Sequence, residues 1–182
     1  MKILRGIGSI KFQDINPYFK GQDLNNLVYG HATSYSLSEE QAKFYCESSQ
    51  NKGFGWVLSY NYSPKNILYI YENNFIDLDN MCLDEFELIF DKEIVISKNL
   101  SSWAKEKGFD CIQFLYDEFD QHILIINESD NLELENIQLF AESQEIVTII
   151  KKLNLPFDGE YFTIPINIIE EVSDLLERMH LL

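Results

Sequence analysis

The chain has 182 residues, 46% of them hydrophobic and 14% aromatic, enough apolar surface for one core without disulfide staples. Thirty acids against 14 bases leave a net charge of −16, which keeps a protein soluble, repels phosphate backbones and argues against nucleic acid as a directly bound partner. No apolar stretch reaches the length of about 18 residues that a membrane span needs, and no apolar run follows Lys2 and Arg5, so a cytoplasmic protein without a signal peptide is expected.

Residues 2–8, Lys-Ile-Leu-Arg-Gly-Ile-Gly, predict a short strand stopped by glycines. Residues 16–30 are loop-like. Ser38-Glu39-Glu40-Gln41 reads as a capping box, with the serine accepting from the Gln41 amide and Gln41 reaching back. Ala42, Phe44, Tyr45 and Cys46 supply the apolar part of a helix to about residue 49, closed by Gly53. Residues 54–62 alternate, placing Trp56, Leu58, Tyr60 and Tyr62 on one face of a half-buried strand. Residues 67–71 give another strand, and 72–83 are irregular and acidic. Residues 86–90 and 93–97 lean towards strands, with a helix through 83–91 as the alternative. Residues 101–107 predict a short helix closed by Gly108. Residues 110–115 and 122–126 predict strands joined by an acidic turn, and 132–140 a further strand.

The tail changes period. Ile146, Ile149, Ile150 and Leu153 recur at helical spacing, as do Ile166, Ile169, Val172, Leu175, Leu176 and Met179 behind Pro165. Strands mostly first, helices last, and no βαβ alternation make this an α+β chain and not a doubly wound one. The expected organisation is one domain over residues 1–140, with a helical extension over 141–182 packed on it. Those helices could also form a dimer face; oligomeric state is not legible.

Cys46, Cys82 and Cys111 form no C-x-x-C pair and read as reduced, buried thiols. His31, His122 and His180 lack the spacing of a zinc site, so no metal is expected. No nucleophile elbow or phosphate-binding glycine loop occurs. Only two arginines are present, and Arg5 sits in an apolar strand where a charge serving solubility has no reason to be.

The order of segments resembles that of the ADP-ribosyltransferase family. Leu4-Arg5-Gly6 is similar to its first-strand signature. Gly30-His31-Ala32-Thr33-Ser34-Tyr35-Ser36, followed by the helix from Glu40, resembles the second motif. Trp56–Tyr62 with Pro64-Lys65-Asn66-Ile67-Leu68 resembles the strand–turn–strand that follows. Ala104-Lys105-Glu106-Lys107-Gly108-Phe109-Asp110-Cys111-Ile112, then His122-Ile123-Leu124-Ile125-Ile126-Asn127, resembles the hairpin that carries the third motif. The resemblance spans roughly residues 3–138, and the order of the four segments carries it more than any one of them.

That resemblance implies a split β-sheet core with peripheral helices, NAD⁺ as substrate, and transfer of ADP-ribose to a macromolecule. Cleaving the nicotinamide–ribose bond passes through an oxocarbenium-like state, as glycoside cleavage does, so the protein must chiefly hold the dinucleotide and place charge. It implies Arg5 on the phosphate or ribose side, where a guanidinium suits bidentate contacts. It implies the Gly6 backbone on the nicotinamide amide, Ser34 supporting the site strand, and Tyr35 stacked on the nicotinamide ring. The simpler readings are a surface salt bridge for Arg5, a turn residue for Ser34 and a core aromatic for Tyr35.

The chain departs from the pattern where family members commonly carry a glutamate. That position holds Gln121, which can bind the cofactor-like substrate but cannot act as a carboxylate. Two replacements stay open: Asp117, in the turn Asp117-Glu118-Phe119-Asp120, and the pair Glu85/Glu87, an E-x-E pattern similar to that of arginine-modifying members. A solvated acidic turn explains either cluster without chemistry. The expected activity is mono-ADP-ribosylation of a protein target with a basic surface, in the manner of a toxin, effector or phage inhibitor such as an anti-CRISPR protein. The alternative is a catalytically degenerate member that acts by binding, its acidic surface imitating nucleic acid.

Overall fold

The computed structural model describes residues 1–8, 25–26, 30–31, 33–47, 54–71, 86–90, 93–97, 100–115, 121–126 and 132–180. It is an α+β structure built on a mixed eight-stranded sheet. In chain order the strands are β1 (Lys2–Ile7), β2 (Asn25–Asn26), β3 (Gly30–His31), β4 (Thr33–Ser36), β5 (Phe54–Tyr62), β6 (Ile67–Tyr71), β7 (Phe86–Phe90), β8 (Glu93–Ser97), β9 (Cys111–Leu115), β10 (Gln121–Ile125), β11 (Leu132–Ala141) and β12 (Tyr161–Thr163). The helices are α1 (Glu39–Glu47), α2 (Leu100–Glu106), α3 (Gln144–Lys151) and α4 (Ile169–His180), the last led in by a 3₁₀ turn over Ile166–Ile168.

Strand order in the large sheet is β12-β11-β5-β1-β4-β10-β9-β6, while β2-β3 and β7-β8 form separate two-stranded pairs. All neighbours are antiparallel except β6 and β9. The sheet therefore has two four-stranded halves, joined where β1 meets β4. Within each half the ladders are long: β5 pairs with β1 over six residues and with β11 over nine. Between the halves the register holds a single pair, Leu4 with Ser36.

Period-two patterning decides which face each strand buries. On one face Ile3, Tyr35, Trp56, Leu58, Tyr60, Tyr62, Ile123, Ile137 and Leu139 form the main core, and Ile146, Val147 and Ile150 of α3 with Ile169, Val172 and Leu176 of α4 close over it. The other face carries two smaller clusters. Ala42 and Cys46 of α1 cover Leu4 and Val57. Leu100 and Ala104 of α2 cover Leu68, Ile70, Ile112, Phe114 and Leu124. Helices thus lie on both faces, α1 and α2 opposite α3 and α4.

Several local signals translate directly. Gly108 has φ +83, and behind it the Phe109 amide donates to the Ala104 carbonyl at 3.0 Å, closing α2 as a left-handed C-terminal residue should. Asp110 accepts from the Lys65 and Asn66 amides at 2.8 and 3.0 Å, tying the β5–β6 turn to the start of β9. The capping box forms by half. The Gln41 amide donates to Ser38 Oγ at 3.4 Å, but the Gln41 side chain accepts from Ser36 Oγ at 2.6 Å, and Ser36 Oγ in turn accepts from the Ser38 amide. Residues 86–90 are a strand paired with β8, so the helical alternative there is not adopted. The tail contains more than helices: Tyr161–Thr163 adds an edge strand to β11.

Candidate functional site

The termini of β1 fix how its main chain is oriented. Met1 and Tyr62 exchange both backbone bonds, the Met1 amine donating at 2.6 Å and its carbonyl accepting at 2.8 Å. In an antiparallel ladder such pairs alternate with pairs that do not exchange bonds. Ile3, Arg5 and Ile7 therefore bond towards β5, while Leu4 and Gly6 present their N–H and C=O to β4. Leu4 meets Ser36 there. The same register would bring Arg5 alongside Tyr35 and Gly6 opposite Ser34, yet β1 and β4 share no ladder pair beyond Leu4 among the described residues. Ser34 and Tyr35 stay bound on their other side, to Leu124 and Ile123 of β10. The β1–β4 ladder stops before Arg5-Gly6 and Ser34-Tyr35, and among the described residues the Gly6 main chain has no ladder partner on that side.

Arg5 shares its face with Ile3 and Tyr60. It is half-buried, and no described carboxylate forms an ion pair with it. Its field acts on Tyr60, whose hydroxyl is pushed well above the usual tyrosine range by burial, further by the neighbouring Tyr35, and held back by the Arg5 guanidinium. Tyr35 is 6% exposed, its ring edge-to-face against Tyr60 at 5.5 Å between centroids and 85° between planes. In this arrangement Tyr35 is a core aromatic, and stacking on a ligand ring would require it to turn out of that contact.

Gly6 is required by packing from the opposite face. A Cβ there would overlap the Ala42 carbonyl oxygen and stand 2.9 Å from the Cys46 amide nitrogen, so only glycine lets α1 lie this close to β1. Gly55 does the same on β5, where a Cβ would meet Cys46 Sγ at 2.5 Å. The close approach anticipated at Gly6 is made by the chain's own helix.

None of the candidate acids has a described side chain. Asp117 and Glu85 lie outside the described residues. Glu87 falls in β7, opposite Ile96, in the separate two-stranded pair, and its side chain is outside the described part. Gln121 heads β10 opposite Leu115; its side chain, like those of Ser34 and His122, is outside the described part as well. Among the described residues no group of three His, Cys, Asp or Glu is arranged to hold a metal, and no helix is long and apolar enough to cross a membrane.

Two of the thiols are placed. Cys46 and Cys111 are both buried, and neither forms a disulfide with a described residue, while Cys82 lies outside the described residues. Burial pushes the Cys111 thiol up to about 11, the nearby Asp110 adding to the rise and the Tyr62 hydroxyl opposing it. Such a thiol is a poor nucleophile at neutral pH. The Tyr62 hydroxyl is buried beside the Cys111 thiol, makes no hydrogen bond to a described nitrogen or oxygen, and is raised above its ordinary range, first by burial and then by Cys111.

Sequence reasoning missed the Tyr60–Arg5 proximity, although the period-two pattern of 54–62 already set Tyr60 on the core face. The stop of the β1–β4 ladder after Leu4 had no sequence signal. No protein-family model matches this chain, and no curated protein does.

Proposed function

We propose that the protein is a mono-ADP-ribosyltransferase of the ADP-ribosyltransferase-like split-sheet type, moving ADP-ribose from NAD⁺ to a protein target. The observation that carries the reading is the junction of the two half-sheets. A half-buried arginine without a described acidic partner stands beside a glycine whose N–H and C=O are directed towards β4 but share no ladder pair with it among the described residues. An arginine can neutralise and orient a pyrophosphate through two parallel hydrogen bonds, and a main-chain donor and acceptor outside the ladder match a carboxamide. In the reaction the bond between ribose C1′ and the nicotinamide nitrogen breaks, nicotinamide leaves neutral, and the acceptor nucleophile bonds to C1′ and loses its proton. Asp117 and the Glu85/Glu87 pair are the acids proposed to steady the developing cation, with Gln121 and Ser34 beside the dinucleotide.

The test is nicotinamide release and transfer of labelled ADP-ribose into lysate proteins. Wild type should show both, and Arg5→Ala should reduce NAD⁺ binding by about tenfold or more, the loss expected of a charge-assisted bidentate contact. Asp117→Asn and Glu87→Gln then separate the acids, since the catalytic one should lower turnover while sparing NAD⁺ binding. Absence of NAD⁺ binding by the wild type would sink the proposal.

One observation favours a second reading. With a net charge of −16 and no described carboxylate paired with Arg5, the same fold would serve as a catalytically degenerate binding inhibitor that occupies a basic site on a partner. That version binds its target with or without NAD⁺.

A further inference from the structure

Helix α1 has two faces of opposite character. Ala42 and Cys46 are fully buried against β1 and β5. On the outward side Phe44 is 63% and Tyr45 56% exposed, their rings edge-to-face at 5.8 Å. Two large exposed aromatics side by side on a short helix are an interaction signal, because single exposed apolar residues are common and paired ones are not. Glu39, Glu40, Lys43 and Phe44 line an open concavity of about 550 Å³ beside them. The Lys43 ammonium on its rim is engaged by Glu160 at 3.5 Å and lies over the Tyr161 ring at 4.5 Å. Glu39 and Glu40 are exposed, and no described residue forms an ion pair with either. Their place in the first turn suits the helix dipole, which explains the acids but neither the aromatics nor the concavity.

We infer that this outer face of α1 is a docking surface for a basic protein segment, with an arginine or lysine seated in the concavity between the Glu39 and Glu40 carboxylates and the Phe44 ring, and Tyr45 extending the aromatic patch beside Phe44. Charge complementarity selects that occupant. A second copy of the chain brings another −16 and nucleic acid brings phosphates, and both are repelled. A guanidinium or ammonium gains from the carboxylates and from the ring faces together. The surface lies across the sheet from Arg5, so a bound segment leaves the Arg5 face open. As the place where the ADP-ribose acceptor is held, the surface rests on the transferase reading; as a binding surface it does not.

The experiment is fluorescence anisotropy of a labelled arginine-rich nonapeptide, and of its glutamate counterpart, against the full chain at physiological salt. NAD⁺ binding is measured on the same preparations. The arginine peptide should bind and the glutamate peptide should not. Glu39→Gln with Glu40→Gln, and separately Phe44→Ala with Tyr45→Ala, should each weaken binding by about tenfold. Glu170→Gln with Glu171→Gln, an equal charge change in the first turn of α4, should alter it less than about twofold. All these positions are exposed, so the circular dichroism spectra should superimpose on that of wild type. The inference is overturned if the wild type does not bind, if the α4 pair weakens binding as much as the α1 pair, or if the aromatic pair changes nothing. Peptide binding retained by a protein that does not bind NAD⁺ overturns the transferase reading and leaves this one standing. NAD⁺ binding with no peptide binding does the reverse.

Discussion

Gly6→Ala tests the contact on which the placement of α1 depends. The new methyl would overlap the Ala42 carbonyl oxygen and lie 2.9 Å from the Cys46 amide, both of them backbone atoms that cannot rotate away. Relief requires α1 to move outward by on the order of 1 Å, which a close-packed interior resists. That shift would unseat Ala42 and Cys46, both 0% exposed. Overpacking of this kind costs about 3 kcal/mol, which for a chain of this length lowers Tm by roughly 6–12 °C. Gly108→Ala is the control. There φ is +83 but no atom lies within 4 Å of the new methyl, so only backbone strain of about 1 kcal/mol is expected. Urea titration and thermal melting by circular dichroism give both values. If Gly6→Ala loses no more stability than Gly108→Ala, α1 does not sit where the clash places it, and the packing account of Gly6 fails.

Three further outcomes follow from the core. The native Cys111 thiol holds its proton up to about 11 against an ordinary value of 9.0, so its contribution to stability is complete below pH 9 and is lost as pH rises towards 11. That amounts to roughly 1 kcal/mol already lost at pH 10, and the raised hydroxyls of Tyr60 and Tyr62 act in the same direction at higher pH; a urea midpoint as high at pH 10 as at pH 7.5 would contradict this. Tyr62→Phe removes a buried hydroxyl that contacts the Cys111 thiol but makes no hydrogen bond to a described nitrogen or oxygen, so it should change stability by no more than about 1 kcal/mol, whereas a larger destabilisation by denaturant titration would reveal a stronger bond the hydroxyl makes. Leu176→Ala empties a 1% exposed position of α4 in the main core and should cost about 2–5 kcal/mol. Its melting curve should remain a single transition, and a separate early transition would show the tail to be its own unit.

Much of the fold was legible because its signals are local. Alternation of Trp56, Leu58, Tyr60 and Tyr62 needs only the pleat of one strand, and Gly108 needs only the preference of a left-handed position. Other features depend on partners far along the chain. Tyr161–Thr163 becomes a strand through pairing with Gln138–Phe140, and a three-residue segment behind a glycine carries no period of its own. The capping residue Ser38 was evident, but the switch of Gln41 to Ser36 depends on where β4 ends. At the candidate site the sequence singles out Arg5 by its scarcity and setting. It cannot reveal that Gly6 turns its main chain towards β4 where the two strands share no ladder pair among the described residues, because strand order and register are properties of the whole sheet.

The single Leu4–Ser36 rung has a mechanical consequence. Hydrogen bonds fix distance and direction, whereas apolar contacts tolerate sliding over fractions of an ångström. Across this seam the halves are bridged mainly by side chains, Tyr35 and Ile123 from one and Ile3 and Trp56 from the other. Each half is stiff along its own ladders and compliant against its neighbour. A guest entering beside Gly6 could therefore wedge the halves apart without breaking a ladder in either. Amide exchange would show this as early exchange at Gly6 and slow exchange in β5 of one half and β10 of the other.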